Sequence, residues 1–404
     1  MLNRWMQLFI GYEGYLRFPW LYVLLALLVL YLYRRTQAVE RSAFGVKVTS
    51  PLANWGLSLA TGLGAGLFAT ACTALFRVHI DLSDVVCLWV ASGLFALWNM
   101  RLTCVSYGAG LVTLVQGLAL LASTQGLHGA VLNYLLSVHA ASLLTLAAIL
   151  HIAEGLLVYL TGAFDASPLF VQSRRGQIIG AFMLQKFWIA PAVLAGIQGG
   201  VLPFPLLIGF SGLATATQPA RMVKYTGWLT LVYGIVLLGL CLGADSLGAG
   251  FTVVAVLAIA LHEVLYYTVR LSEERAAPLF VRPVRGVKVL ATLPHSPARK
   301  LGLAAGETIL KVGGMAVNSP YDIHFALDLN PAYVKIEVAD VRGEIRFVGT
   351  PVYAGDPHQL GVIVVPDERA REYAQIYELS IGRWLGRLLT SRKRFVAQET
   401  SHFS

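Results

Sequence analysis

The chain has 404 residues, of which 56% are apolar and only 13% are charged, and its mean hydropathy is +0.66. Because the apolar residues form long blocks, this composition excludes an ordinary soluble protein, a disordered chain, a coiled coil and a disulfide-stabilised scaffold. The net charge of +9 is of the kind that sets orientation in a membrane. The sequence contains no nucleic-acid-binding motif, so we expect no nucleic acid partner.

Eight hydrophobic segments precede residue 270, each near the roughly 17 to 25 apolar residues that cross a bilayer. They lie at 18–33, 52–76, 83–99, 102–122, 131–160, 187–212, 227–243 and 247–269. Glycine and proline residues interrupt the sixth, and a broken backbone at membrane depth must be buried in protein or line a cavity. We therefore expect an α-helical, multi-pass membrane domain over residues 1–271, with seven or eight segments and the sixth re-entrant; a single crossing is the alternative.

The distribution of lysine and arginine indicates the orientation of this domain. If the loop after the first segment is cytoplasmic, eight basic residues lie on that side and three on the other. The cytoplasmic set is Arg34, Arg35, Arg41, Lys47, Arg101, Arg174, Arg175 and Lys186. The opposite set is Arg4, Arg17 and Arg77. A re-entrant sixth segment also places Arg221, Lys224 and everything after residue 270 in the cytoplasm.

After Arg270 the sequence changes to a charged linker and then to short β-type runs separated by Gly, Pro and Asn turns. Strands are predicted at 287–292, 308–312, 333–338, 344–348 and 360–365, and short helices at 296–301 and 321–329. This pattern indicates one small α+β domain over residues 279–366.

The last residues predict a separate, basic amphipathic helix over 367–404, because apolar residues recur at steps of three and four. The apolar positions are Tyr373, Ile376, Tyr377, Ile381, Trp384, Leu385 and Leu388. The basic positions are Arg383, Arg387, Arg392, Lys393 and Arg394. Such a helix lies on an anionic membrane surface, docks on a partner, or packs on its own domain.

Two pairs of ionisable residues lie inside hydrophobic segments. His262 and Glu263 begin a His-Glu-x-x-His motif, but the fifth position is Tyr266, so the second zinc ligand of that motif is missing. We expect His262 and Glu263 to lie at the membrane interface near Arg270.

His151 and Glu154 are one helical turn apart, which suits an ion path or a proton relay. The simpler interpretation is that Glu154 reaches the cytoplasmic interface or pairs with Arg174 or Arg175. No internal hydropathy repeat of the kind common in transporters is visible.

The remaining motifs give no sign of an enzyme. The sequence lacks a phosphate-binding loop, a dinucleotide fingerprint and a nucleophile elbow. The cysteines lie in apolar runs without metal-ligand spacing, and we interpret them as packing residues. They are Cys72, Cys87, Cys104 and Cys241. We therefore expect no catalytic residue, no metal and no cofactor.

The C-terminal domain resembles a bacterial PDZ domain. The resemblance rests on VKVL at 287–290, LPHSPA at 293–298 and AGETILKVGGMAV at 305–317. In the permuted bacterial form, similar to that of site-2 proteases, the peptide-binding strand comes last. The resemblance implies that a peptide adds as a strand beside Leu360, Gly361, Val362 and Ile363. The helix at 321–329 would form the other wall of the groove, through Ile323, Ala326 and Leu327, unless the groove is vestigial and the domain only packs.

With its hydrophobic segments and single PDZ-like domain, the chain is similar to the MinJ family of cell-division topology proteins. The matching residues are SRRG at 173–176 and the stretch from GEIRF at 343–347 to HQLG at 358–361. The resemblance implies a non-enzymatic scaffold in the bacterial cell membrane that contacts lipid and is enriched at the septum and poles. It would bridge a DivIVA-type polar scaffold and the MinD ATPase, with homo-oligomers possible in principle. The alternatives are a catalytically degenerate, PDZ-regulated membrane protease relative and a transporter.

Overall fold

The computed structural model describes residues 10–17, 19–196, 200–244, 250–329, 333–351, 360–367 and 374. Up to Arg275, these residues form a helical part that surrounds a long β-hairpin. From Leu279 onward they form a β domain. The tail predicted over 367–404 lies outside the described residues, except for Asp367 and Ala374, so its amphipathic helix stays a prediction.

The described part of the chain contains nine α-helices before the β domain. They are α1 (Glu13–Arg17), α2 (Trp20–Phe44), α3 (Pro51–Leu75), α4 (Leu82–Trp98), α5 (Val105–Thr124), α6 (Ala130–Leu136), α7 (Ala140–Thr161), α8 (Pro219–Gly243) and α9 (Gly250–Arg275). Six of these are long and apolar enough to cross a membrane, namely α2, α3, α5, α7, α8 and α9. Helix α4 is a shorter apolar helix of 17 residues.

The predicted segment 131–160 is wrong as one continuous helix, because the chain turns between α6 and α7. The buried carboxylate of Asp84 fixes this turn. Its Oδ1 accepts a hydrogen bond from the His139 backbone N–H at 2.8 Å, and its Oδ2 lies 3.0 Å from His139 Nδ1. No glycine or proline lies at this break, which depends on a residue 55 positions away and is therefore hidden in the apolar run.

The described residues of the sixth hydrophobic segment, 187–196 and 200–212, form strands rather than a helix, which corrects the predicted all-α architecture of the membrane domain. Three antiparallel strands in the order β1–β2–β3 occupy this region: β1 (Ser167–Gln172), β2 (Ile178–Ala195) and β3 (Val201–Ala214). Strands β2 and β3 pair from Phe182 opposite Ala214 to Ala195 opposite Val201. Glycine and proline disfavour a helix here, whereas the β-branched and aromatic residues between them favour strands.

The hairpin of β2 and β3 runs the height of the helical part and returns. At about 3.4 Å per residue, the strand from Met183 to Ala195 covers about 40 Å. Its tip lies beside the loop between α3 and α4, where the Ile80 N–H donates to the Ala195 carbonyl at 2.9 Å. Its base lies at the opposite end, where the Thr215 carbonyl accepts from the Leu279 N–H at 2.9 Å. The segment therefore returns to the end at which it begins, as a re-entrant segment would, although with β rather than helical geometry; its course in a membrane stays a prediction.

Helix α3 covers one face of strand β2 through two glycines. A Cβ atom added at Gly62 would lie 2.4 Å from the Ile189 carbonyl oxygen, and one added at Gly66 would lie 2.4 Å from the Pro191 oxygen. The helix backbone therefore lies directly on the strand backbone. Such contact is possible only without side chains at these two positions.

Side chains from the helices hydrogen-bond to backbone groups of β2. The Val193 N–H donates to Thr70 Oγ1 at 2.9 Å, and the Phe187 N–H donates to the Tyr33 hydroxyl at 3.1 Å. The Tyr15 hydroxyl donates to the Ala192 carbonyl at 2.8 Å. Because a strand edge cannot bond to water inside a bilayer, the bonds to Val193 and Phe187 would satisfy the outer edge of β2 at membrane depth.

We expect Thr70→Val to destabilise the chain, because the nearly isosteric side chain removes the acceptor of the Val193 N–H. A buried donor left without a partner costs about 1–3 kcal/mol. The matched control is Thr61→Val on the same helix, since within the described part of the chain Thr61 Oγ1 bonds to the Leu57 carbonyl of its own helix and not to the hairpin. Thermal unfolding of the purified full chain in detergent measures both, and equal midpoints for the two variants would contradict this account of the edge.

The β domain agrees closely with the sequence prediction. Its strands are β4 (Val287–Thr292), β5 (Thr308–Val312), β6 (Met315–Ala316), β7 (Tyr333–Ala339), β8 (Ile345–Pro351) and β9 (Val362–Val364). The sheet order is β8–β7–β5–β4–β9, and β6 pairs with β5. Two helices, α10 (Pro297–Lys300) and α11 (Pro320–Leu329), lie at the predicted places.

The β domain docks on the base of the hairpin. Phe280 is fully buried, its carbonyl accepts from the Gly180 N–H at 2.9 Å, and its ring meets that of Phe182 edge-on at 5.2 Å. The Glu273 carboxylate at the end of α9 accepts from the Thr215 N–H at 2.8 Å. The domain is thus attached to the helical part by apolar and polar contacts, in addition to the linker.

Candidate functional site

The predicted peptide-binding strand begins with a tight turn at Gly361. The φ angle of this glycine is +73°, in the left-handed region that disfavours other residues. An added Cβ would lie 2.3 Å from the Cβ of Ser296. The neighbouring Leu360 carbonyl accepts from the Ala298 N–H at 2.9 Å, so this turn is built into the domain. Gly361 is therefore required by the fold itself, independently of any ligand.

Strand β9 lies at one edge of the sheet, in the position that strand addition requires. The Gly361 carbonyl accepts from the Leu293 N–H at 2.9 Å, and the Val365 N–H donates to the Lys288 carbonyl at 3.1 Å. Backbone groups alternate in direction along a strand, so those of Val362 and Val364 point away from β4. Within the described residues this outer edge is where a peptide backbone would pair.

The side chains of the predicted groove divide between two packed clusters. Ile323, Ala326 and Leu327 of α11 are buried in the core of the β domain together with Leu360. Ile363 belongs instead to the large cluster that joins the β domain to the helical part. The structure thus brings α11 and Leu360 together and turns Ile363 away from them. Peptide binding at these residues stays a prediction.

We expect Val364→Pro to abolish strand addition at β9 while the domain remains folded. Proline removes the outward N–H of Val364, and a strand edge tolerates proline where no ladder bond is lost. Val364→Thr is the matched control, because it keeps that N–H. Binding of partner proteins to the full-length variants in detergent provides the measurement, and equal binding by both would show that this edge is not the docking surface.

The ionisable residues of the helical part have partners other than those predicted. The Glu263 carboxylate lies 3.0 Å from the Arg101 guanidinium and accepts from the Tyr107 hydroxyl at 2.7 Å. Arg270 is bound to Glu274 at 2.7 Å. Glu263 is therefore paired with Arg101, which reaches it from the turn between α4 and α5, and the guanidinium groups of Arg101 and Arg270 both lie over the Tyr266 ring. The interfacial place predicted for His262 and Glu263 near Arg270 stays a prediction.

Arg174 also pairs with Glu274, so its recorded partner is not Glu154, one of the alternatives predicted for that carboxylate. Glu154 lies instead beside His151 of its own helix, with its Oε2 3.9 Å from His151 Nε2. Its side chain is turned toward the interior of the helical part.

Three side chains that no sequence motif connects meet inside the helical part. Cys104 Sγ lies 3.2 Å from His151 Nε2 and 3.5 Å from His262 Nε2. Their ligand atoms all lie within 4.8 Å of one another. The interpretation of Cys104 as a packing residue is therefore incomplete. Sequence reasoning missed this cluster because the three residues come from the start of α5 and the middles of α7 and α9.

Comparison with known proteins supports the resemblance seen in the sequence. The cell division topological determinant MinJ of Bacillus subtilis (strain 168) is 30% identical over 245 residues, which cover 55% of this chain and 61% of that protein. A probable cell division topological determinant MinJ of Lacticaseibacillus paracasei is 28% identical over 263 residues, covering 57% of this chain and 68% of that protein. No family model matches the chain.

These similarities confirm the predicted resemblance to the cell division topological determinants named MinJ. The chain spans about three fifths of the length of the Bacillus subtilis relative, 61%.

Proposed function

We propose that this MinJ-like chain is a multi-pass membrane adaptor that determines where the cell divides. The observation that carries the proposal is its similarity to proteins named as cell division topological determinants. The layout of the chain suits an adaptor, because six apolar helices would hold it in the membrane and the docked β domain would present a binding edge to one compartment.

The adaptor would act through its cytoplasmic surface. The β domain lies at the end of the helical part where the hairpin begins and ends, together with Arg174 and Arg175. The positive-inside bias assigns this end to the cytoplasm. The partners proposed from the family resemblance, a DivIVA-type scaffold and the MinD ATPase, would then meet the β domain and the adjacent basic turn there, with the chain enriched at septum and poles.

The β domain would bind a partner peptide as an additional strand at β9. The outward backbone groups of Val362 and Val364 supply affinity for any extended peptide, since main-chain hydrogen bonds do not depend on sequence. The side chains of α11 would then set selectivity. This is a PDZ-type binding mode without a catalytic group.

Depletion of the chain in the organism that encodes it tests the proposed function. We expect septa to form near the poles, and an ectopic copy of the full chain to restore their normal position. Site-specific photocrosslinkers placed in β9 of that copy should capture the DivIVA-type or MinD-type protein. Normal septum positions after depletion would refute the role in division, whereas altered septa without either crosslink would refute only the proposed bridge.

A further inference from the structure

The cluster of Cys104, His151 and His262 has the composition of a transition-metal site. One thiol and two imidazoles are ligands that zinc prefers, and calcium and magnesium do not. In a tetrahedral zinc site with Zn–S near 2.3 Å and Zn–N near 2.0–2.1 Å, sulfur and nitrogen ligands are about 3.5 Å apart. The observed Sγ to Nε2 distances of 3.2 and 3.5 Å are close to that separation.

The hydrogen bonds of His151 orient it as a ligand. Its Nδ1 lies 2.7 Å from the Ala147 carbonyl oxygen, which can only accept, so Nδ1 carries the proton. The Nε2 atom that faces Cys104 then presents its lone pair. Ligating histidines in metal sites are fixed in this way by a second partner on the other ring nitrogen.

Tyr107 orients His262 in the same sense. The Tyr107 hydroxyl donates its single proton to Glu263 Oε1 at 2.7 Å, so its oxygen is left to accept from His262 Nδ1 at 3.0 Å. The Nε2 atom of His262 therefore also presents a lone pair to the Cys104 thiol. One S–H group can donate to only one of the two imidazoles, whereas a cation between them satisfies both.

The charge of the surroundings also suits a divalent cation. The Glu154 carboxylate lies 3.9 Å from His151 Nε2, which is the ring nitrogen that faces Cys104. A thiolate and a carboxylate together would neutralise a divalent ion inside an apolar bundle, where an unpaired charge is costly. Glu154 thus lies close enough to His151 to balance the charge of a cation bound by the three ligand atoms that lie within 4.8 Å of one another.

We propose that Cys104 Sγ, His151 Nε2 and His262 Nε2 bind a zinc-class divalent metal ion, with the nearby Glu154 carboxylate balancing its charge. Three protein ligands leave the fourth position of a tetrahedral zinc ion to an exogenous ligand such as water. The ion would join the start of α5 to α7 and α9. Glu263, which continues the interrupted motif seen in the sequence, acts as a positioning residue through Tyr107.

Metal analysis of the full-length chain, purified in detergent through a histidine-free tag, tests the proposal. We expect stoichiometric zinc by mass spectrometry in the wild type and background levels in Cys104→Ser and His262→Ala. The matched controls are Cys87→Ser and His324→Ala, which alter the same residue types elsewhere and should retain the metal. Zinc at background in the wild type, even after incubation with zinc salts, would overturn the proposal.

Cobalt substitution gives a readout that does not depend on the stability of the ligand variants. After metal depletion and addition of cobalt, the wild type and Cys87→Ser should both show a thiolate-to-cobalt absorption band. Tyr107→Phe should keep the band but bind cobalt about 10–100-fold more weakly, as expected when the group that orients a ligand is lost. A folded wild type without the band, or an unchanged affinity in Tyr107→Phe, would contradict the assignment.

Discussion

We expect Gly66→Val to prevent the chain from accumulating as folded protein. A Cβ at this position would lie 2.4 Å from the Pro191 carbonyl oxygen and 2.7 Å from its nitrogen, both backbone atoms that cannot rotate away. Moving α3 outward would disrupt the bond of Val193 to Thr70 and the packing along β2. Overpacking typically costs about 1–3 kcal/mol where side chains can adjust. A clash with backbone atoms costs more than this. The total free energy of unfolding of a typical protein is only about 5–15 kcal/mol.

Gly64→Val is the matched control for this experiment. Gly64 lies in the same helix two residues earlier, and a Cβ added there has no other atom within 4 Å. Membrane abundance and the size-exclusion profile in detergent measure both variants. We expect aggregation or loss of Gly66→Val and a normal profile for Gly64→Val. Equal profiles would mean that α3 does not lie on the hairpin.

The β domain could be predicted from the sequence because its signals are local. Strands β4 and β5 have the predicted bounds, and turns such as Gly313-Gly314 adopt the positive φ angles that glycine permits. Each such strand is short and ends at a turn residue. The alternation of apolar residues and the turn residues were therefore sufficient to predict these strands.

The hairpin could not be predicted in this way. A run of apolar residues indicates a helix only because a lone strand in lipid leaves its edge unpaired. Here Tyr33 and Thr70 bond to that edge, and Gly62 and Gly66 let α3 lie against it. These partners come from more than 100 residues earlier in the chain, where nothing in the hairpin sequence points to them.

The two candidate sites also differ in how far the sequence could predict them. The position of β9 at the sheet edge follows from the resemblance of the local sequence, whereas the meeting of Cys104 with His151 and His262 spans 47 and 158 residues. No spacing rule connects residues on three separate helices. Sequence reasoning also placed Ile363 in the groove, because alternation along a strand does not reveal which side meets the helical part.

We expect removal of the β domain to abolish placement of the division site while the helical part remains in the membrane. The truncation should delete residues 283–404 and retain Leu279 and Phe280, because these two pack on the base of the hairpin. A scaffold acts through its surfaces, so loss of the proposed binding edge should remove function. A second truncation that deletes only residues 368–404 separates the contribution of the tail.

Septum position in cells whose only copy of the chain lacks residues 283–404 is the most direct test of the proposed function. Membrane staining and microscopy give the position of each septum along the cell, and immunoblotting of membranes confirms equal abundance. We predict polar or misplaced septa at a frequency matching complete depletion. Septa at wild-type positions, with the truncated chain present at wild-type abundance, would contradict the proposal that the β domain carries the function.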